Sequence, residues 1–178
     1  MGFFIYLFLL TTKYFIMEMN FLSPLVAAFT TLLVGFNWYH PNVLGTLWIH
    51  EAGLTKEESE KGNMMKIFGL TFIFSIFIGI IMQSLTIHQF GALGMIGGGT
   101  KLAEAKPSFM AFMADYGTAF RSYKHGALHG FFTALFFAFP MIAINSLFER
   151  RSWKYIFIHS GYWIVCLTII GAIVCGWI

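Results

Sequence analysis

Histidines 125 and 129 stand four residues apart in the stretch "SYKHGALHGFF". On a helix that spacing sets both imidazoles on one face, one turn apart, where they could ligate a metal ion or the iron of a haem. His88 falls at the same end of the preceding apolar segment and is a candidate third ligand. No Glu or Cys completes a metal motif around them, and a lone HxxxH pair is a weak pattern, because histidines often sit at helix ends beside a membrane interface. A second group is polar residues inside apolar runs: Asn37, Asn145 and His159, with Glu51 or Glu149 at the edge. An amide or imidazole in hydrocarbon is costly without a partner, so these three are expected to hydrogen-bond between helices. The plain reading is structural glue, about 1 kcal/mol per contact. The sharper one is a small polar pocket for a ligand or a proton, with His159 as its titratable member.

The elements that must position these groups are membrane spans. Of 178 residues, 58% are hydrophobic and only 11% charged, with a mean hydropathy of +0.74, which leaves too little polar surface to cover a water-soluble globule. Residues 21–39, 67–85, 126–148 and 155–178 contain no Asp, Glu, Lys or Arg. At 1.5 Å per residue they cross, or nearly cross, a hydrocarbon core of about 30 Å. Short-period alternation is absent, which argues against a transmembrane barrel. The expected fold is therefore an all-α integral membrane four-helix bundle with antiparallel neighbouring spans, a single domain over 19–178 with a polar loop at 88–125. Residues 1–18 are an apolar extension, too short to span, with Lys13 interrupting it and no signal-peptide pattern; the expected place is the interface, and Met17 or Met19 is an alternative start.

Connectivity places Asn37, Asn145 and His159 in one leaflet and Gln83, His88, His125 and His129 in the other, because each crossing reverses direction. Pro41 ends the first span near Tyr39. Thr55 and Glu58 have capping-box spacing, which predicts a short charged helix before the second span. Small residues recur every four positions: Ser23, Ala27, Thr31 and Gly35; Thr71, Ser75 and Gly79; Gly126, Gly130, Ala134 and Ala138. Such stripes let helix backbones approach closely and predict a tight bundle. Cys166 and Cys175 lie nine residues apart on one helix, roughly 13 Å along its axis, too far for a disulfide. The run "GALGMIGGGTKLAEAKPS" only superficially resembles a phosphate loop, since Thr100 precedes Lys101 and no strand leads into it. With no basic tract, nucleic-acid binding is excluded as a reading of the +3 net charge.

The pattern Trp38-Tyr39-x-Pro41, then Gly45, Trp48 and "EAGLT" at 51–55, resembles the bacterial membrane proteins of the family called domain of unknown function 1761. The closing stretches "NSLFERRSWKYIFIHSGYWIV" and "GAIVCGW" are similar to that family's last two helices. The resemblance covers about 19–86 and 119–178; the N-terminal extension and the long 88–118 connection depart from it. It implies a small four-helix protein of the bacterial cytoplasmic membrane, and no catalytic residue is carried over. Lys56, Lys61, Lys66, Arg150, Arg151 and Lys154 then place loops 40–66 and 149–154 in the cytoplasm and both termini outside. Three functions follow as expectations. The foremost is an accessory or structural component, a homo-oligomer or a subunit of a larger membrane assembly, more a non-enzyme than an enzyme and with no cofactor. The second is a small transporter or ligand-binding protein using Asn37, Asn145 and His159. The third is a metal- or haem-binding protein using His88, His125 and His129.

Overall fold

The computed structural model describes residues 20–178. The N-terminal extension expected at 1–18 lies outside them. The described residues form helices joined by turns, with no strand among them. Three helices are long and apolar enough to cross a membrane: Met64–Thr86, Tyr123–Phe148 and Trp153–Gly176. A fourth span is reached only if the helix Leu22–Trp38 and the segment Pro41–Ala52, bent 57° from it, count as one. At 17 residues, about 25 Å long, Leu22–Trp38 (α1) alone falls short of the hydrocarbon core.

The bend is a local consequence of Pro41. His40 is extended, its ring nitrogen accepts the Asn42 amide, and one wide π-helical turn follows at Pro41–Gly45 before α2 (Thr46–Ala52). A Cβ on Gly45 would overlap the Tyr39 carbonyl oxygen, so this turn requires glycine. Gly53, at a φ of +70°, then ends α2 in the left-handed region that glycine enters at no steric cost. Thr55 and Glu58 form the reciprocal capping box of α3 (Lys56–Glu60). The Thr55 backbone amide, donating to the Glu58 carboxylate, holds that group below the ordinary carboxylate range. Asn63 caps α4 (Met64–Thr86).

The segment expected as a polar loop is mostly helical. It contains α5 (His88–Met95), a 3₁₀ turn at Gly99–Glu104 and α6 (Pro107–Tyr116). Pro107 occupies the first turn of α6, where its missing N–H costs nothing, and the apolar residues of "PSFMAFMADY" supply a helix period that the flanking glycines mask. The third long helix begins as α7 (Tyr123–Thr133) and ends as α8 (Phe139–Phe148), with a π-helical turn at Ala134–Ala138 between them. Pro140 offers no N–H and crowds the carbonyl four residues back; a wider turn just before it lets the helix continue.

The last helix, α9 (Trp153–Gly176), forms the centre. Of its apolar stretch 44% is buried, against 11% and 17% for the other two long helices. Its Ile156, Cys166, Ile170 and Val174 are fully buried, and it packs on α7, α1 and α4. Both cysteines are buried and free, in keeping with a spacing too wide for a bond between them. The small-residue stripes are where helices touch. A Cβ on Gly126 would overlap the Gly171 carbonyl oxygen, and one on Gly130 the Leu167 carbonyl oxygen, so α7 and α9 meet backbone to backbone. Between α1 and α4, the Thr31 and Ser75 hydroxyls bond at 2.7 Å, while a Cβ added to Gly79 would come within 3.0 Å of Pro24. Thr31→Val removes that bond and keeps the shape. It is expected to lower unfolding stability in detergent by about 1 kcal/mol or less, measurable by denaturant titration.

Candidate metal centre

The three histidines come together at one end of the long helices. Helix α4 stops at Thr86, whose hydroxyl bonds back to the Met82 carbonyl. Ile87 is extended and buried, and His88 opens α5 in a new direction. Ser122 caps α7 by accepting the His125 amide, which fixes His125 in the first turn and His129 one turn later. The Nε2 atoms of His88 and His125 are 2.9 Å apart. Ring centroids are separated by 4.4 Å for His125 and His129, 4.9 Å for His88 and His125, and 5.1 Å for His88 and His129. One nitrogen from each lies within 4.8 Å of the others; among the described residues, no other trio of His, Cys, Asp or Glu side chains converges in this way.

This spacing fits a single ion. Zn–N bonds of about 2.0–2.1 Å in a tetrahedron put ligand nitrogens about 3.3 Å apart. One pair is already closer, and a nitrogen of the third ring lies within 4.8 Å of both. Three neutral imidazoles and an open fourth position can polarise a bound water or an incoming oxygen ligand. A haem fits less well: porphyrin faces need room on either side of an axial imidazole, and here three rings crowd one point.

A built loop surrounds the trio. Phe120 has a φ of +61°, unusual for a bulky side chain. Its ring meets His88 edge-on at 5.9 Å and lies 5.2 Å from His125. The loop is held from two directions. Gln89 Nε2 donates to the Tyr116 and Ala119 carbonyls at 2.9 Å each. From α9, the Cys175 thiol donates to the Phe120 carbonyl, and Arg121 Nε donates to the Cys175 carbonyl at 2.9 Å. Gln89 and Phe120 were not singled out by the sequence, and Cys175 was considered there only for a disulfide.

At the opposite end of the helices, Asn37, Asn145 and His159 share no hydrogen bond. Asn37 is exposed and donates to the Leu33 carbonyl of its own helix at 2.8 Å. Asn145 is exposed. His159 Nδ1 instead pairs with the Tyr39 hydroxyl at 3.0 Å, and its Nε2 is buried with no partner among the described residues. Glu51 accepts the hydroxyl of Ser152, the residue that caps α9, and Arg151 donates to the Ala52 carbonyl at 2.8 Å. Glu51 thus helps tie the turn after α2 to the turn before α9. The motif residues serve the same junction: Trp38 Nε1 donates to the Ile158 carbonyl at 3.0 Å, with Gly161 small enough to admit its ring, and Trp48 packs edge-on against Tyr39 at 5.4 Å.

Three helices long and apolar enough to cross a membrane, with three histidines gathered at one end, define a candidate membrane protein with a candidate metal centre. The chain belongs to the family described as protein of unknown function DUF1761, whose profile matches residues 22–175, nearly the whole chain. No curated protein and no solved structure matches it.

Proposed function

We propose that this protein binds one divalent transition-metal ion through His88, His125 and His129. The convergence of three imidazole nitrogens from two separate helices carries this reading. Isolated histidines at helix ends have no reason to converge, and imidazole suits zinc, copper, iron and nickel. The pinned loop and the left-handed Phe120 support it, because a strained residue persists only where the surrounding structure fixes it.

The reading extends to the membrane. The exposed faces of the long helices are apolar, with Phe68, Phe74, Phe77 and Phe136 outward, which suits lipid. An antiparallel four-helix bundle in the bacterial cytoplasmic membrane, with loops 40–66 and 149–154 in the cytoplasm, puts the histidines at the outer face. The accessory role then takes a definite form: a small bundle, alone or assembled with itself or other membrane proteins, that presents a metal ion at that face. A pocket of Asn37, Asn145 and His159 has no such support, since no hydrogen bond joins them.

Equilibrium titration of purified protein with Zn²⁺ tests the proposal. The expected result is about one equivalent bound and a rise in thermal stability, since an ion that binds only the folded chain stabilises it by mass action. Absence of saturable uptake contradicts the reading.

A further inference from the structure

The three histidines hang on two separate arms of chain. One arm leaves α4 at Thr86 and reaches His88 two residues later. The other is the turn 117–122, which enters α7 and delivers His125 in its first turn. Both arms meet the last turn of α9 at a single residue, Cys175. Its thiol lies 3.5 Å from the Thr86 carbonyl oxygen and 3.5 Å from the Phe120 carbonyl oxygen. One S–H hydrogen is thus shared between an acceptor on each arm.

The main chain of the same residue holds the second arm again, because the Cys175 carbonyl accepts Arg121 Nε at 2.9 Å. The start of α7 is seated there too. A Cβ added to Gly126, the neighbour of His125, would come 2.5 Å from Cys175 Cβ, and one added to Gly176 would come 2.6 Å from the Tyr123 nitrogen. Cys175 is fully buried, so water does not compete at the thiol. An apolar side chain of similar size would fill this space equally well, yet it would not tie carbonyls of two different segments to one point. Gln89 joins α5 to the same loop through Tyr116 and Ala119, and Cys175 is the tie on the α9 side.

We infer that Cys175 is a positioning residue for the metal centre: by holding the Thr86 and Phe120 carbonyls from one point, it sets the separation of His88 from His125 and His129. The inference rests on the proposed ion. A thiol is a weak donor, so its contribution lies in geometry more than in bond strength.

The test measures zinc affinity on the full chain in detergent for the wild type, Cys175→Ala, Cys175→Ser and Cys166→Ala. Alanine removes the shared hydrogen and serine returns a donor. Cys166, equally buried on α9 and about 13 Å away along its axis, is the control. Affinity should fall about tenfold in Cys175→Ala, the lower end for a lost outer-shell partner. It should recover in Cys175→Ser and be unchanged in Cys166→Ala. Arg121→Met cuts the Cys175 carbonyl from the loop without touching the buried thiol; it should weaken zinc binding in the same direction, and it carries the test if the variants at 175 do not fold. A packing role alone lowers the metal-free melting temperature of both alanine variants and leaves zinc affinity where it was, which overturns the inference. An equal fall in Cys166→Ala, or a serine variant as weak as the alanine one, overturns it as well. Zinc-edge X-ray absorption should show light ligands only, since sulfur at about 2.3 Å would make Cys175 a ligand and not a positioning residue. A wild type that takes up no zinc overturns the metal centre and this inference together, whereas equal uptake by wild type and Cys175→Ala removes the positioning role and leaves the metal centre standing.

Discussion

His125→Ala is expected to weaken Zn²⁺ binding by about a hundredfold or more, since outer-shell partners alone are worth about 10–100-fold and this change removes a ligand. His125 is the member closest to both others, with Nε2 2.9 Å from His88 Nε2 and its ring 4.4 Å from that of His129. The fold should survive. His125 is half-buried at the first turn of α7, and its amide, not its ring, completes the Ser122 cap. Far-UV circular dichroism and metal-free melting should therefore match the wild type while the zinc-induced rise in melting temperature disappears. The pH dependence has a defined sign. Ligation needs neutral imidazoles, each offering a ring-nitrogen lone pair. Zinc affinity, and the stability it adds, should therefore fall on acidification, because protons compete with the ion for the imidazole nitrogens.

Gly130→Val is expected to cost about 3 kcal/mol or more, the upper end for overpacking, because the obstacle is backbone. A Cβ at Gly130 would overlap the Leu167 carbonyl oxygen and sit 2.9 Å from Thr168 Cα. No rotamer relieves that collision, so α7 must move away from α9. The same movement displaces His125 and His129, and zinc affinity should fall alongside stability. Leu128→Val on the exposed face of α7 is the control and should change neither measurably. Denaturant titration in detergent, with zinc uptake on the same samples, reads both effects.

Helical period made both of these positions legible in the sequence. Gly130 belonged to a four-residue repeat of small side chains with few polar groups, a pattern that favours close approach of two backbones over the lining of a pore. His125 and His129 were visible as a pair for the same reason: helical period fixes relative direction. Depth was legible by counting residues, which put His88 at their level. Azimuth was not. Asn37 and Asn145 count to a similar depth as His159, yet Asn37 turns to the Leu33 carbonyl of its own helix, and His159 takes Tyr39. Which way a side chain faces around a bundle depends on packing that residue counting does not contain.

The helices of the 88–125 segment were hidden by composition. Glycines at 97–99 and Pro107 read as breakers, and they do end and start elements, but α5 and α6 fit between them. Gln89 and Phe120 carried no readable signal, because their roles arise only after α5, α6 and α9 meet. Pro140 could have been read as a distortion of the third span, and the π-helical turn before it is that distortion.

The most direct test of a shared ion is X-ray absorption at the zinc edge of the loaded, purified protein. A shared ion gives about three imidazole nitrogens at about 2.0–2.1 Å with one further light ligand, and loses that imidazole signature in His125→Ala. A shell of oxygen ligands only, or a spectrum unchanged by the substitution, contradicts it.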